Sequence, residues 1–398
     1  MPSPVQLQDV LEFIADCEHR TAPAAPRDAA YAFSIGTPNI RGGRILLDSA
    51  KLVDRPTYES WTQRGRPQAE DLILAREAPV GDVGRVDGNQ RLCLGQRTVL
   101  LRPDQRKVNP RFLHYLLISP PIQQWMQDRA AGSTVAHLNV EDVYIIDLGA
   151  LPPLPEQHAI AEVLGALDDK IEANQRIIRT VDRLMDAEYR LASTDSEATA
   201  ASTTLEPLLG GTPARNMPGY WNGGIPWATA KDVGAADTQV ILAPAQAISE
   251  EGLANSAAKL VPAGTTLITA RGTVGALART GMEMSFNQTC YALLPKQKFP
   301  PLLLFLAVRQ ALGQLRALVH GTIFDTITKA TFDLFSLQLP PGSAWPSLMR
   351  RLTPLDELVM CLLSESRLLS AHRDILLPKL LSGQLRVRDA EAIVEEAV

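Results

Sequence analysis

Leu72-Ile73-Leu74-Ala75-Arg76, followed by Val80-Gly81, returns later in the chain as Leu267-Ile268-Thr269-Ala270-Arg271, followed by Val274-Gly275. Working outward from these segments, further matches keep the same order. Gln96 precedes Thr98-Val99-Leu100-Leu101-Arg102-Pro103, and Gln288 precedes Cys290-Tyr291-Ala292-Leu293-Leu294-Pro295. Gly132-Ser133-Thr134 leads to Ile145-Ile146-Asp147-Leu148 and Pro152-Pro153, as Gly321-Thr322 leads to Phe335-Ser336-Leu337 and Pro340-Pro341. The separation drifts slowly, from 195 (Arg76 to Arg271) through 192 (Gln96 to Gln288) to 189 (Gly132 to Gly321). Chance similarity would not preserve that order. A domain of about 140–150 residues, close to the usual domain size and present twice, accounts for it; two copies are too few for a solenoid.

Each copy reads as mixed α+β. Short aliphatic and β-branched runs at 71–74, 98–101, 143–148, 265–269 and 291–294 are bounded by Gly and Pro and predict strands. Helical stretches fall at 110–129 and 300–319, the first opening on Asn109-Pro110, an N-cap followed by proline at the first helical position. A long helix follows each copy. In the first, from Pro155-Glu156 to about Tyr189, Leu164, Ile171, Ile178 and Met185 recur every seventh residue, with Leu167, Asn174 and Val181 between them. That is a coiled-coil seam with one polar position, Asn174. In the second, from about Pro346 to Leu381, Leu355, Leu362, Leu369 and Leu376 repeat every seven, and the alternate column of Leu352 and Val359 is interrupted by Ser366 and Arg373.

Neither helix can bury its seam alone, and two seams of similar length most simply pair with each other. The plainer alternative lays each amphipathic helix on its own domain. The predicted fold is therefore α+β, two pseudo-repeated domains joined by two long antiparallel coiled-coil helices, with Leu164, Ile171, Asn174, Ile178, Leu355, Leu362, Leu369 and Leu376 as pairing residues. The domains are expected at 1–150 and 207–341. A central helix is expected at 151–191, a small, polar linker at 192–206, and a C-terminal helix and tail at 342–398.

Composition narrows the function. No stretch of 18 apolar residues and no basic-then-apolar leader is visible among the 398 residues, so neither a membrane span nor a signal peptide is expected. Four scattered cysteines argue against a disulfide framework or zinc site and fit a reducing cytoplasm. Net charge is −5, but the excess acid is concentrated at 151–206, so a local basic face elsewhere remains compatible with DNA binding. Catalytic signatures are missing. Ser119-Pro120-Pro121-Ile122 lacks the amide or acid and the aromatic of a DNA methyltransferase loop, and no Gly-Lys pair exists to close a phosphate loop. No Gly-x-Ser-x-Gly elbow occurs, the six histidines are dispersed, and Asp168-Asp169-Lys170 reads as solvated charge on the first long helix.

Three motifs carry a resemblance. Pro152-Pro153-Leu154-Pro155-Glu156-Gln157, running into Ile160-Ala161-Glu162-Val163-Leu164 and Leu167-Asp168-Asp169-Lys170-Ile171-Glu172, resembles the central helix signature of type I restriction-modification specificity subunits. The run from Arg373-Asp374-Ile375-Leu376-Leu377-Pro378 to Lys379-Leu380-Leu381-Ser382-Gly383 is similar to that family's closing signature. Gly210-Gly211-Thr212-Pro213, with Pro218-Gly219-Tyr220-Trp221 and Ile225-Pro226-Trp227, looks like the start of its target recognition domains. The match spans nearly the whole chain. It departs where the second helix has Pro341-Gly342-Ser343-Ala344-Trp345 instead of Pro-Leu-Pro-Glu-Gln, and where the first domain begins Cys17-Glu18-His19-Arg20-Thr21-Ala22-Pro23.

The resemblance implies a non-catalytic subunit whose two target recognition domains each read half of a split, asymmetric site on double-stranded DNA. The helices then act as spacer and docking surface for methyltransferase subunits, expected as two, and a motor-nuclease subunit joins for cleavage. It implies no cofactor in this chain: S-adenosylmethionine, ATP and Mg belong to the partners, which flip the target adenine. A helix of about 30 residues spans roughly 45 Å, more than one DNA turn of about 34 Å. Alternatives are a specificity subunit of another restriction class, or a coiled-coil adaptor unrelated to DNA. Arg and Lys suit guanine edges and Asn or Gln adenine edges. The repeated loop positions favoured as DNA contacts are Arg76, Gln96, Ser133 and Thr134 in the first domain, and Lys231, Arg271, Thr273, Gln288, Thr322 and Lys329 in the second.

Overall fold

The protein is described from a computed structural model covering residues 5–130, 136–236, 238–272, 274–320 and 326–397. It divides into two compact units, residues 1–171 with 368–398, and residues 172–367. Both boundaries fall inside the long helices Leu154–Ser193 and Trp345–Leu381, so each unit owns a stretch of each helix.

In the first unit, an antiparallel sheet runs in the order Leu11–Asp16, Thr98–Pro103, Leu72–Ala75, Val83–Arg85. Its interior strand Leu72–Ala75 is apolar at every position because both faces are covered. Leu72 and Leu74 join Val99, Leu101 and the helix residues Leu164, Leu167, Ile171, Leu369 and Leu376 in one core. Ile73 and Ala75 pack the opposite way, with Ile35, Ile40, Leu92 and Leu94. The second unit repeats this sheet as Leu205–Leu209, Cys290–Pro295, Thr266–Thr269, Leu277–Thr280, with Val240–Ile241 added in parallel at the edge. Ile268 and Leu293 face a core containing Ile178, Met185, Leu348, Leu352 and Val359, while Leu267 and Ala292 face Ala228, Met284 and Phe286.

The backbone pairing corrects the sequence repeat by one residue. Leu72 pairs with Leu101 and Arg85, and the residue in the same place in the second unit is Thr266, paired with Leu293 and Arg279. Arg76 is therefore equivalent to Ala270, not Arg271. Arg76 N–H donates to Arg97 O and accepts at its carbonyl from Leu138; Ala270 does the same with Thr289 and Ile327. Because side chains alternate along a strand, a one-residue slip exchanges the two faces, and the apparent identity of the two apolar runs hid it.

Other expectations need adjustment. The helix expected at 110–129 is broken into Pro110–Leu117 and Pro120–Ala130, since proline disfavours helical backbone in the residue before it and has no N–H to continue the ladder. Its counterpart, Pro301–His320, is unbroken. The strand expected at 143–148 is a short helix, Val140–Tyr144, and an isolated bridge between Gln6 and Asp147. The stretch read as a linker contains Ala198–Ala200, paired antiparallel with Ser336–Gln338.

The long helices pair antiparallel in each unit, through both apolar and polar layers. Asn174, buried to 2% exposure, donates from Nδ2 to Glu365 Oε2 at 2.7 Å and to Ser366 Oγ at 3.2 Å. Further along the same unit, Arg351 donates to Glu188 at 2.9 Å. In the first unit Arg373 bonds Asp168 at 2.8 Å, and the other oxygen of Asp168 accepts from Tyr115 Oη at 2.6 Å. The residues that interrupt the second seam are thus partners of polar residues on the first. Asp168 and Asp169 are not idle surface charge: Asp169 is bidentate with Arg111 of helix Pro110–Leu117, at 2.6 and 3.1 Å.

Candidate nucleic-acid interface

At one edge of each sheet, loops from distant parts of the sequence meet in the same order. In the second unit the loop after strand Leu205–Leu209 opens with Gly210 and Gly211, whose N–H groups donate to Cys290 O and Phe286 O. A Cβ on Gly210 would stand 2.3 Å from Asn287 O, and one on Gly211 would stand 2.2 Å from the Ala257 carbonyl carbon. The Gly-Gly pair therefore serves close backbone packing. Next in the loop, the Thr212 hydroxyl donates to the side-chain oxygen of Gln288, which precedes strand Cys290–Pro295. Thr289 O accepts from Ala270, placing Arg271 alongside, and Ala270 O accepts from Ile327, two residues before Lys329. In the other direction Arg215 donates to Gln246 at 2.9 Å, and Ala245 N–H donates to Asp232 at 3.1 Å. Asp232 caps the short helix Ala230–Ala235, in which Lys231 is exposed. Lys329, Arg271, Gln288, Arg215 and Lys231 are thus each exposed on a ribbon of segments linked by these contacts.

The first unit builds the same ribbon with other side chains. Cys17 takes the place of Gly210, its N–H donating to Thr98 O. Thr21 donates to Gln96 at 3.0 Å, as Thr212 does to Gln288, and Gln96 Nε2 donates to His19 O at 3.1 Å. Asn39 caps Gly36 N–H, where Asp232 caps Thr229. Beside these lies a cleft of about 470 Å³ lined by Thr21, Asn39, Ser49, Lys51, Gln96 and Arg97. The basic groups here are mostly neutralised: Arg97 pairs with Glu77, His19 lies 3.1 Å from Asp16, and Arg20 and Arg64 flank Glu18 at 3.8 and 3.6 Å.

The sequence-predicted contacts fare differently. Gln96, Lys231, Arg271, Gln288 and Lys329 all lie exposed on the ribbons. Ser133, Thr134, Thr273 and Thr322 lie outside the described residues. Arg76 is the correction. It is 7% exposed, donates to Leu138 O at 3.1 Å and to Asp16 at 3.2 Å, and so braces the loop return from within. Releasing it to a base would leave Asp16 without that partner. Reading one residue type at the end of an apolar run could not separate buried Arg76 from exposed Arg271. Arg215 and Gln246 join the ribbon with nothing in their local spacing to mark them, although Trp221, six residues after Arg215, was an available signal; Thr21 and Thr212 stand in the segments that open each domain and were not singled out as contacts.

Among the described residues no group of three or more His, Cys, Asp or Glu could hold a metal ion, and no helix is long and apolar enough to cross a membrane. Burial pushes Cys290 up to about 12 and Cys93 up to about 11, so both thiols stay protonated and poorly nucleophilic at neutral pH.

The twin sheets, twin ribbons and shared helices define a two-copy recognition protein. The family model described as "Type I restriction modification DNA specificity domain" matches residues 32–183 and again 209–359. The chain belongs to this family, and its function is that of a type I restriction-modification specificity subunit. It is similar to the putative type I restriction enzyme MjaX specificity subunit of Methanocaldococcus jannaschii, 22% identical over 340 residues, covering 78% of this chain and 77% of that protein. It is also similar to the type I restriction enzyme EcoBI specificity subunit of Escherichia coli, 24% identical over 137 residues, covering 34% and 28%. The crystal structure of the type I restriction-modification S subunit from M. genitalium shares the fold, with TM-score 0.52 and 14% identity over 95% of both chains.

Proposed function

We propose that residues 1–150 and 207–341 are independent readers, each engaging one half of a split, asymmetric site on double-stranded DNA. The observation that carries this is the ribbon built twice on the same backbone pairing but lined by different side chains. Like scaffolds would present their loops alike, and unlike loops would select different bases. Gln96, Lys231, Arg271, Gln288 and Lys329 are proposed contacts, and Ser133, Thr134, Thr273 and Thr322 remain candidates from the sequence.

The paired helices hold the readers apart and seat two methyltransferase subunits. Support comes from apolar side chains that the seam leaves uncovered. Ile177, Leu184 and Leu191 recur every seventh residue on the first helix and are 44%, 46% and 77% exposed; Leu368 and Ile375 on the second are 63% and 54% exposed. Exposed apolar rows of this kind suit a helical or flat apolar partner surface. The chain is proposed to do no chemistry itself. S-adenosylmethionine, ATP and Mg act in the methyltransferase and motor-nuclease subunits, and the assembly works in the cytoplasm.

The test exchanges one reader. Replacing residues 207–341 with the counterpart from a related subunit and mapping methylated adenines across the host genome should change one half of the recognised site. Alteration of both halves, or of neither in an active enzyme, would refute the modular reading.

A further inference from the structure

On the second ribbon, Arg215 is held by two tryptophans and a glutamine. Trp227 Nε1 donates to Gly211 O at 3.0 Å and Trp221 Nε1 to Ala214 O at 3.1 Å, so two indoles pin the loop on either side of the Thr212–Gln288 contact. The rings meet edge to face, 5.1 Å apart at 88°. Arg215 lies on this aromatic pair, its guanidinium carbon 3.8 Å from the Trp221 ring centre and 5.2 Å from that of Trp227. Its Nη1 donates to Gln246 Oε1 at 2.9 Å. Gln246 and Arg215 line an open cleft of about 550 Å³ with Trp221, Asn222, Pro244 and Met282.

Arg215 is exposed, and among the described residues no carboxylate stands within ion-pair distance of it. Arg20, Arg64 and Arg97 of the first ribbon all have one. An exposed arginine ordinarily samples many rotamers, and ordering it is unfavourable. Here the aromatic pair and one hydrogen bond restrain the guanidinium in advance, which reduces the ordering cost on binding. Nη1 is directed to Gln246, and the Nε–Nη2 edge remains for a ligand. Two parallel N–H donors on a positively charged fork match the O6 and N7 acceptors of guanine in the major groove.

We propose that Arg215, stacked on Trp221 and oriented by Gln246, reads a guanine in the half-site engaged by the second unit. Gln246 is the positioning residue. This rests on the DNA-reading function proposed above and adds a specificity determinant to it.

The test uses the complete complex, purified from its host, in competition binding to duplexes carrying each base in turn at every position of the mapped site. The wild type is expected to favour guanine at one position in the half assigned to residues 207–341 by the reader exchange. Arg215→Lys keeps the charge but not the fork. It should reduce that preference by on the order of 10–100-fold and leave every position in the other half unchanged. Gln246→Ala should weaken the same preference to a smaller degree, and it answers the question even if Arg215→Lys fails to assemble. If Arg215→Lys leaves all base preferences intact, or both variants weaken every duplex alike as loss of a phosphate contact would, the assignment of Arg215 is overturned while the functional reading stands. A wild-type complex with no base preference in either half overturns both.

Discussion

Arg76 and Arg271 occupy the same place in two matching pentapeptides and do opposite things. Arg76 is a buried brace between Asp16 and Leu138 O; Arg271 projects from a loop. Arg76→Ala is expected to destabilise the first unit by about 2–3 kcal/mol, since breaking a largely buried ion pair leaves its partner uncompensated, without changing the bases read. Arg271→Ala should shift stability by no more than about 0.5 kcal/mol and relax selectivity in one half-site. Urea unfolding and methylation-motif mapping on both variants check this, and an altered motif from Arg76→Ala at normal stability would contradict it. His114 gives a second expectation. Burial holds its imidazole down at about 4, and Nε2 bonds Val83 O at 3.2 Å. A folded-state value below the unfolded one means that stability is full above about pH 6.5 and is lost as pH falls from there toward 4, by about 3 kcal/mol in total. The unfolding midpoint of the first unit should therefore fall between pH 7 and 5, and His114→Gln should flatten that slope. Equal slopes in the two proteins would show that another group governs it. At this scale the sequence revealed residue types but not their surroundings. Chemistry named Gln96 and Gln288 as candidates; only the fold shows that each is fixed by a threonine from a loop some 75 residues away.

At the scale of elements, the helices were the most legible part of the chain, because a seven-residue period states which face is buried. The partnering of the polar interruptions was not legible: Asn174 with Ser366 and Asp168 with Arg373 are about 190–205 residues apart in sequence. Polar layers inside a coiled coil set register at some cost in stability. Arg373→Leu alone should destabilise the helix pair, because Asp168 then keeps only Tyr115 among these contacts. A cycle of Asp168→Asn, Arg373→Gln and the double variant should give a coupling of about 1–3 kcal/mol. Additive effects in thermal unfolding would mean that the pair does not set register. Strands were legible where both faces are covered, as at Leu72–Ala75 and Cys290–Pro295. They were misread at 143–148, where a short apolar run has no period long enough to separate strand from helix.

At the scale of the molecule, the proposed spacer role of the helix pair can be tested by changing helix length. The polar layers fix where the pair can be lengthened. Seven residues beyond Asn174 stands Val181, and seven before Ser366 stands Val359, so these two share a level in the antiparallel pair. One heptad inserted between Asn174 and Ile178, matched by one between Leu362 and Glu365, leaves the second unit's core whole, keeps both seams and both polar pairs in phase and lengthens the pair by about 10 Å. The deciding measurement is the genome-wide map of methylated adenines in a strain carrying this double insertion. The same bases are expected in both halves, with a gap longer by about three base pairs, at roughly 3.4 Å each. An active enzyme whose gap is unchanged would contradict it.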